Sequence, residues 1–312
     1  MSLSVAIQMD PLENIDLEAD STYLIALEAK KRNHKLYHYT PSSLSLRDGK
    51  LYAKANFLLI NHNEKKNILL GEETHINLED MDIVLMRQDP PFDMSYITAT
   101  YLLEKISSKT LIINDPEGVR NSPEKLLVTA FKDYVPPTLI SSDLSEINSF
   151  KKLYQDVIVK PLYGNGGSGV FHLSPHDENL SSLIELFTSY SREPLIVQKY
   201  IPEVRSGDKR IILIDGEPVG AINRVPAKGE ARSNMHVGGR AEKTELNEVD
   251  RSICHSIGDV LRDRGLFFTG IDVIGNFLTE INVTSPTGIQ EINRFDNAQI
   301  EKIFWKELEK KI

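Results

Sequence analysis

The feature that most restricts the fold is a glycine-rich loop between two short apolar segments. Val157 to Leu173 reads VIVKPLYGNGGSGVFHL, in which Gly164 to Gly169 matches the G-x-G-x-x-G dinucleotide fingerprint letter for letter. That fingerprint requires a strand followed directly by a helix whose N-terminus faces the pyrophosphate. Here GVFHL follows, with β-branched and aromatic residues that end at Ser174-Pro175, and this predicts a second strand. The glycines are therefore predicted to close a β-hairpin, which argues against a Rossmann unit.

The surroundings of the loop also argue against other nucleotide motifs. A Rossmann unit needs an acidic residue about 20 positions on, at the end of a second parallel strand, but Glu185 lies in a helical pattern. No Gly-Lys-Ser/Thr follows the loop, which excludes a Walker P-loop. A glycine-rich hairpin can still bind phosphate through a flap of backbone N–H groups, with Lys160 at the end of the entering strand. A merely flexible turn remains the alternative for the loop alone.

An acidic hairpin is predicted far downstream, in GIDVIGNFLTEINVTSPTG, residues 270–288. Asp272 lies on its first strand, and Glu280 and Asn282 share one face of its second strand, with Ile281 and Val283 toward the core. Carboxylates with an amide oxygen form a hard-oxygen set suited to Mg²⁺. Any one of these residues alone is also compatible with a solvated sheet face.

The register of this hairpin leads to a specific expectation. A two-residue turn at Gly275-Asn276 would pair Asp272 with Thr279 and turn it away from Glu280. Metal binding by all three residues therefore requires an odd-length loop or a β-bulge, which we predict.

Basic residues are concentrated between Lys199 and Arg240, where eight Lys/Arg face five Asp/Glu. Asp208 and Arg210 share a strand face, and Arg224 ends the partner strand. Pro226 to Ala241 has no periodic pattern, and it carries Arg232 and Arg240. Because arginine suits carboxylate and phosphate, this segment is predicted to be a lid beside a metal–phosphate site.

Composition limits the classes of protein. The chain has 312 residues, of which 40% are hydrophobic and 26% charged, which fits a globular protein of two or three units. A net charge of −9 argues against nucleic acid as the main partner, and no apolar run reaches the roughly 20 residues of a membrane span. No secretory signal is evident at the N-terminus. The single cysteine, Cys254, lies in a helical pattern and is predicted to be a buried hydrophobe in a reducing cytoplasm.

The order of elements predicts an α/β half followed by an antiparallel α+β half. In the first, strands at 4–9, 35–39, 81–87 and 110–114 alternate with helices at 17–33 and 95–106, and a hairpin turns at Asp48-Gly49. Ser122 is predicted to cap a helix that has Pro123 at its first position and runs through Phe131. The remaining predicted elements are a helix at 143–155 and strands at 157–160, 170–173, 195–200, 208–214, 217–223, 267–274 and 277–283.

At this point the chain resembles a known family. NSPEKL, VIVKPLYGNGGSGVF, VQKYIP, GDKRIILIDGEPV and LTEINVTSPTGI look like the successive motifs of an ATP-grasp ligase. The segments MDPLENIDLEADS and VLMRQDPPFD narrow the resemblance to bacterial glutathione synthetase, from about residue 4 to 300. The resemblance implies an N-terminal α/β substrate domain at 1–121 and two α+β ATP-grasp subdomains at 122–200 and 201–312, with a lid loop at 226–241.

The resemblance also implies the site residues. Those matching ATP contacts are Lys125, Lys160, the glycines Gly164, Gly166, Gly167 and Gly169, the hinge residues Gln198, Lys199, Tyr200 and Ile201, and the ribose contact Asp208. The implied Mg²⁺ ligands are Asp272, Glu280 and Asn282. The implied catalytic arginines are Arg210, Arg224 and Arg232, and the implied substrate residues are Asp10, Asn14, Arg87, Gly238, Gly239 and Ser285.

The implied reaction is the ATP-dependent ligation of γ-glutamylcysteine to glycine through an acyl phosphate, releasing ADP and phosphate. The resemblance implies a pair of Mg²⁺ ions per site, with Mn²⁺ as an alternative, and a cytoplasmic homotetramer that binds neither nucleic acid nor membrane. Gln88 replaces a lysine common in the family, which removes an ionic contribution there. Met235-His236-Val237 stand where smaller residues are expected in the lid.

Two other interpretations share part of this pattern. Another ATP-grasp carboxylate–amine ligase, such as a D-alanine–D-alanine ligase or a glutamate ligase acting on a protein, would share the ATP and Mg²⁺ residues; MDP and RQDPPFD discriminate against it. A regulatory ATP-binding module without catalysis is disfavoured by Asp272, Glu280, Asn282 and Arg210.

Overall fold

The computed structural model of the chain describes residues 2–61, 67–230, 232–235 and 238–312. The first part of the chain forms a seven-stranded sheet. Its strands are β1 (Ser4–Gln8), β2 (Lys35–Tyr39), β3 (Leu44–Arg47), β4 (Lys50–Asn61), β5 (Asn67–Asn77), β6 (Ile83–Met86) and β7 (Leu111–Ile113). Its helices are α1 (Ser21–Lys31), α2 (Met94–Glu104) and α3 (Pro116–Arg120). The order is β3-β4-β2-β1-β6-β7, with β5 beside β4.

The predicted parallel sheet is confirmed, because β1 pairs in parallel with both β2 and β6, and β6 with β7. Helix α1 begins four residues later than predicted, since the Asp20 carboxylate caps it by accepting from the backbone N–H of Tyr23 at 2.5 Å. The turn at Asp48-Gly49 joins β3 to β4, as predicted. The long β4–β5 hairpin was not predicted.

The middle of the chain forms a four-stranded antiparallel sheet in the order β10-β9-β11-β8. Its strands are β8 (Thr138–Ser141), β9 (Val157–Pro161), β10 (Phe171–Leu173) and β11 (Leu195–Lys199). The helices here are α4 (Glu124–Leu127), α5 (Leu144–Tyr154) and α6 (Leu180–Tyr190).

Helix α4 corrects the prediction of a helix from Ser122 through Phe131. Pro123 takes the N-cap position, and α4 gives way after Leu127 to a 3₁₀ turn at Val128–Ala130. The Ser122 hydroxyl is instead buried and accepts from the Arg264 guanidinium at 3.0 Å. No local sequence pattern could have predicted a contact with a residue so far along the chain.

The last part of the chain forms a five-stranded antiparallel sheet in the order β14-β13-β12-β15-β16. Its strands are β12 (Asp208–Ile214), β13 (Glu217–Val225), β14 (Arg240–Lys243), β15 (Phe268–Ile274) and β16 (Phe277–Asn282). The helices are α7 (Glu248–Asp263), α8 (Ile289–Asp296) and α9 (Ile300–Leu308). Arg240, which was predicted to lie in the loop, opens β14 instead because it pairs opposite Val225. The α+β character predicted for this half is confirmed.

Burial agrees with the remaining structural expectations. Cys254 is 1% exposed on α7, and burial raises the pKa of its thiol to about 12, as expected of a small hydrophobe. Trp305 of α9 donates to the carbonyl of Ile25 at 2.8 Å and ties the C-terminal helix to α1. Among the described residues, no helix combines the length and the apolar character that crossing a bilayer would need.

Candidate active site

The glycine-rich loop is a hairpin turn, as the sequence predicts. Strands β9 and β10 pair antiparallel, with Val157 opposite Leu173 and Val159 opposite Phe171. Within the intervening flap, Gly164–Gly169, three glycines have φ values of +59°, +78° and +69°, at Gly166, Gly167 and Gly169. These backbone conformations favour glycine, and they explain why the flap matches the fingerprint without a helix behind it.

A first cavity of about 900 Å³, including its open mouth, lies beneath the flap. Ten of the eleven residues implied to contact ATP line it, namely Lys125, Lys160, Gly164, Gly166, Gly167, Gln198, Lys199, Tyr200, Ile201 and Asp208. The remaining one, Gly169, packs on Pro161, since a Cβ there would lie 2.9 Å from the proline Cγ. Gln198 is oriented by a hydrogen bond to the Thr138 hydroxyl at 3.0 Å.

A second cavity of about 730 Å³, including its open mouth, adjoins the first. Of the predicted site residues, Arg210, Arg224, Glu280, Asn282 and Ser285 line it, together with the flap glycine Gly166. Glu280 and Gly166 line both cavities. The two cavities therefore meet where the flap faces the acidic hairpin.

The acidic hairpin has the predicted irregularity. Strands β15 and β16 pair Asp272 directly with Glu280, because the register shifts between Asp272 and Val273. Ile281 and Val283 are fully buried on the other face. The prediction of a bulge that brings Asp272 and Glu280 together is confirmed.

Two arginines engage Asp272 in a buried network. The Arg210 guanidinium donates to both carboxylate oxygens, at 2.5 and 3.0 Å, and Arg224 lies 2.9 Å from Oδ2. Burial acts to raise the pKa of Asp272, but the two guanidinium groups outweigh it and hold that pKa well below its usual range. Arg224 also bonds Asp208 Oδ2 at 2.6 Å. Burial raises the pKa of Asp208 despite Arg224, and among the described residues its Oδ1 has no hydrogen-bond partner.

Two lysines line the first cavity, Lys125 and Lys160. Lys125 lies 2.6 Å from Glu280 and also donates to the carbonyl of Gly164. Burial opposes its charge, yet Glu280 and Glu124 raise the pKa of Lys125 above its ordinary value. Burial, with the charge of Lys125 nearby, lowers the pKa of Lys160 to about 8. The cavity thus offers two ammonium groups to an anion beneath the flap, and three carboxylates, those of Asp208, Asp272 and Glu280, line it as well.

The proposed metal ligands are compatible with a hard cation. Asp272 and Glu280 both line the first cavity, and Glu280 and Asn282 both line the second. The set contains two carboxylates and an amide, and the described residues include no cluster of three or more His, Cys, Asp or Glu side chains suited to a metal. Since both oxygens of Asp272 already accept from arginine, that carboxylate would share them with a bound ion.

The N-terminal substrate residues lie outside the linings of both cavities. Arg87 is buried and donates to the Thr22 hydroxyl and to the Pro286 carbonyl, both at 3.0 Å, which ties the N-terminal sheet to the last part of the chain. Asp10 accepts from the backbone N–H of Asp89 at 2.7 Å, and Asp89 lines the second cavity. Asn14 is exposed in a 3₁₀ turn.

Gln88, the departure from the family pattern, is buried beside the end of β1. Its Oε1 accepts a hydrogen bond from Gln8 Nε2 at 2.8 Å. A neutral amide pair therefore stands where a lysine would have carried a charge.

The lid loop contributes to the first cavity through Arg232. This arginine lies 2.6 Å from Glu230 and donates to the Gly167 carbonyl at 3.4 Å, apart from Arg210 and Arg224 in the second cavity. The backbone N–H of Gly238 donates to the carbonyl of Met235, and that of Gly239 donates to the carbonyl of Asn234. Met235 lines the second cavity, whereas His236 and Val237 lie outside the described residues.

Several residues near the place where the two cavities meet were not predicted from the sequence. Glu124 accepts from the Thr284 hydroxyl at 2.9 Å and from the Val283 N–H at 3.2 Å, linking α4 to the acidic hairpin. Asn165 and Asn234 line both cavities. Glu124 lies inside NSPEKL and Asn165 inside the glycine loop. Both residues therefore belong to recognised motifs, although the sequence predicted no role for either of them.

Comparisons with known proteins agree with this geometry. A family model described as prokaryotic glutathione synthetase, N-terminal domain, matches residues 3–120, and one described as prokaryotic glutathione synthetase, ATP-grasp domain, matches residues 124–297. The chain is 56% identical over 311 residues to the glutathione synthetase of Mesorhizobium japonicum, covering 100% of this chain and 99% of the relative. It is 40% identical to that of Escherichia coli O127:H6, covering 93% and 92%.

Solved structures share the fold at low sequence identity. D-cycloserine synthetase DcsG superposes with a TM-score of 0.68 at 14% identity, covering 97% of this chain and 99% of that one. The ATP-grasp ligase PsnB, complexed with a precursor peptide and AMPPNP, gives a TM-score of 0.59 at 15% identity and covers 97% of each chain. The chain therefore belongs to the prokaryotic glutathione synthetase family of ATP-grasp ligases, with an N-terminal α/β domain followed by an ATP-grasp domain.

Proposed function

We propose that this chain ligates γ-glutamylcysteine to glycine, using ATP and releasing ADP and phosphate, to form glutathione. The observation that carries the proposal is the meeting of the two cavities at Glu280. One cavity has the glycine flap and two lysines suited to a nucleotide, and the other has two arginines suited to a carboxylate. The family relationship supplies the identity of the substrates.

In this proposal the nucleotide occupies the first cavity. Adenine lies against the hinge residues Gln198–Ile201. Oδ1 of Asp208, which has no hydrogen-bond partner among the described residues, accepts from the ribose. Lys125 and Lys160 contact the phosphates beneath the flap. Asp272, Glu280 and Asn282 would hold a pair of Mg²⁺ ions, or Mn²⁺, which when bound neutralise charge on the phosphates.

The dipeptide and glycine occupy the second cavity and its rim. Arg210 and Arg224 face the reacting carboxylate, and Ser285 lies in the same lining. Asp10, Asn14 and Arg87 would define the dipeptide end, with Asp10 acting through the backbone of Asp89. Gly238 and Gly239 would let the lid backbone approach the substrates, and Arg232 would approach the phosphates from the lid.

The chemistry requires no protein nucleophile. A carboxylate oxygen of the dipeptide forms a bond to the γ-phosphorus of ATP while the bond to the β-bridging oxygen breaks, leaving its electron pair on ADP. The glycine amine then attacks the acyl carbon, the C–O bond breaks with its pair leaving on phosphate, and the nitrogen releases a proton to phosphate or solvent. The protein positions the reactants and balances charge, through the lysines and arginines described above.

Further properties are proposed from the family relationship and the sequence. We place unit boundaries at 121/122 and 200/201, between the three sheets. A homotetramer is expected by family resemblance, and a cytoplasmic location agrees with the single buried thiol.

The direct test is ADP and glutathione formation by the purified chain with ATP, Mg²⁺, γ-glutamylcysteine and glycine. We expect one ADP per glutathione, and no glutathione when γ-glutamylcysteine or glycine is withheld. ADP formation that needs a different carboxylate or amine, for example two molecules of D-alanine, would overturn the assignment.

Glu280→Gln should raise the Mg²⁺ concentration required for half-maximal nucleotide binding by about tenfold or more, because a ligand charge is lost at the junction of the cavities. Calorimetric titration of the nucleotide at several Mg²⁺ concentrations measures this. Glu185→Gln, an exposed glutamate on α6, is the matched control. A Mg²⁺ requirement equal to that of the unsubstituted chain would remove Glu280 from the metal site.

A further inference from the structure

The passage between the two cavities is lined by a distinctive set of groups. Four residues line both cavities, namely Asn165, Gly166, Asn234 and Glu280. Glu280 is already assigned to the metal, and Gly166 contributes only backbone. The two side-chain amides come from different segments, one from the flap and the other from the lid loop.

Backbone contacts hold both asparagines at the passage. The carbonyl of Asn234 accepts from the Gly239 N–H at 3.1 Å, and that of Asn165 accepts from the Ser168 N–H at 3.0 Å. The Asn234 side chain lies directly on the flap, since a Cβ added to Gly167 would be 2.6 Å from its Oδ1. The flap and the lid loop therefore meet at Gly167 and Asn234.

Neither amide is used by the fold. Across the described part of the chain, no hydrogen bond engages the side-chain amide of Asn165 or Asn234. Each amide carries two N–H donors. The Asn165 side chain is exposed and that of Asn234 is half-buried, so their donors are open to solvent and to a ligand in the passage.

The charges on either side indicate what crosses the passage. Lys125 and Lys160 line the first cavity, and Arg210 and Arg224 line the second. An anionic group that moves from one pair of cations to the other must pass the two amides and Glu280. A neutral donor can bind its oxygens without adding a full positive charge that would hold the group on one side.

We propose that Asn165 and Asn234 hydrogen-bond the phosphoryl group during its transfer from ATP to the dipeptide carboxylate. This rests on the function proposed above. The bond changes are those of the first step, in which the phosphorus gains the carboxylate oxygen and loses the ADP oxygen with its electron pair. The amides gain and lose no proton; they donate to the phosphoryl oxygens and hold the acyl phosphate until the amine attacks.

The test compares Asn165→Ala, Asn234→Ala and the isosteric Asn234→Asp. The probe is a complex of ADP, aluminium fluoride, Mg²⁺ and γ-glutamylcysteine, in which the planar fluoride occupies the phosphoryl position. Each alanine variant should bind this complex about tenfold or more weakly and lose turnover to a similar degree, which is the effect of one hydrogen bond to a charged group. Asn234→Asp should lose more, because its carboxylate repels the phosphoryl oxygens.

ADP alone separates this role from a structural one. ADP lacks the transferring group, so its affinity should stay within about twofold in the two alanine variants, which add no charge to the nucleotide cavity. Asn148→Ala, an exposed asparagine on α5, should match the unsubstituted chain in every measurement. Unchanged affinity for the fluoride complex, or an equal loss for ADP alone, would overturn the proposal. Failure of the proposed function would instead appear in the unsubstituted chain, as no ADP formed from ATP, γ-glutamylcysteine and glycine.

Discussion

Asp272→Asn is expected to reduce glutathione formation by about a thousandfold and to lower the free energy of unfolding by about 3 kcal/mol. Asp272 is 3% exposed and accepts from both Arg210 and Arg224. Removing its charge leaves two buried guanidinium groups with one carboxylate partner, Asp208, which pairs with Arg224 only, while Arg210 keeps a hydrogen bond to the Thr287 carbonyl. The same substitution removes a carboxylate from the proposed metal site, so activity and stability should fall together.

Turnover and urea unfolding, measured on the same preparation, check this expectation. The matched control is Asp259→Asn, which removes a carboxylate from an exposed ion pair with Arg262 on α7. Its unfolding midpoint and turnover should equal those of the unsubstituted chain, since exposed ion pairs contribute little. An Asp272→Asn chain with an unchanged unfolding midpoint would show that the arginines do not depend on this carboxylate.

Local sequence patterns were sufficient to predict the features that depend on neighbours along the chain. Alternation along β16 placed Glu280 and Asn282 on one face, and turn geometry then required the bulge that brings Asp272 opposite Glu280. The residues after the flap predicted a strand, and the pairing of β9 with β10 agrees. In each case the partner lies within 16 residues along the chain, so spacing alone carries the information.

Features that depend on distant partners were missed or misplaced. Ser122 was predicted to cap a helix, but its hydroxyl accepts from Arg264, 142 residues away. The role of Arg87 in the dipeptide site stays a prediction, but no sequence pattern indicated that it donates to the carbonyl of Pro286, 199 residues away. Polar groups choose partners from the whole fold, and helix propensity at a single position is too weak to oppose them.

Within the site, too, local features could be predicted from the sequence, whereas a feature that depends on distant residues could not. The flap and the acidic hairpin could be predicted, because glycine spacing and strand alternation are local. The passage could not, because Asn165 and Asn234 are 69 positions apart and meet only when the flap and the lid loop fold together. An asparagine in a glycine-rich turn is otherwise an ordinary turn residue.

Arg210→Ala should reduce turnover by roughly 10²- to 10³-fold while the affinity for ATP changes by less than about threefold. Arg210 lines the second cavity and not the first, so its charge acts where the acyl phosphate develops. Arg210→Lys should recover only part of the loss, because a lysine cannot reproduce the two hydrogen bonds to Asp272.

Turnover, the KM for γ-glutamylcysteine and the calorimetric affinity for ATP separate these effects. Arg262→Ala, which removes a half-exposed arginine of α7, is the matched control and should leave all three quantities unchanged. An equal fall in ATP affinity and turnover would place the contribution of Arg210 in nucleotide binding. Because Arg224 still contacts Asp272 in the alanine variant, the carboxylate keeps one buried cation, and the chain should remain folded enough to show which quantity falls.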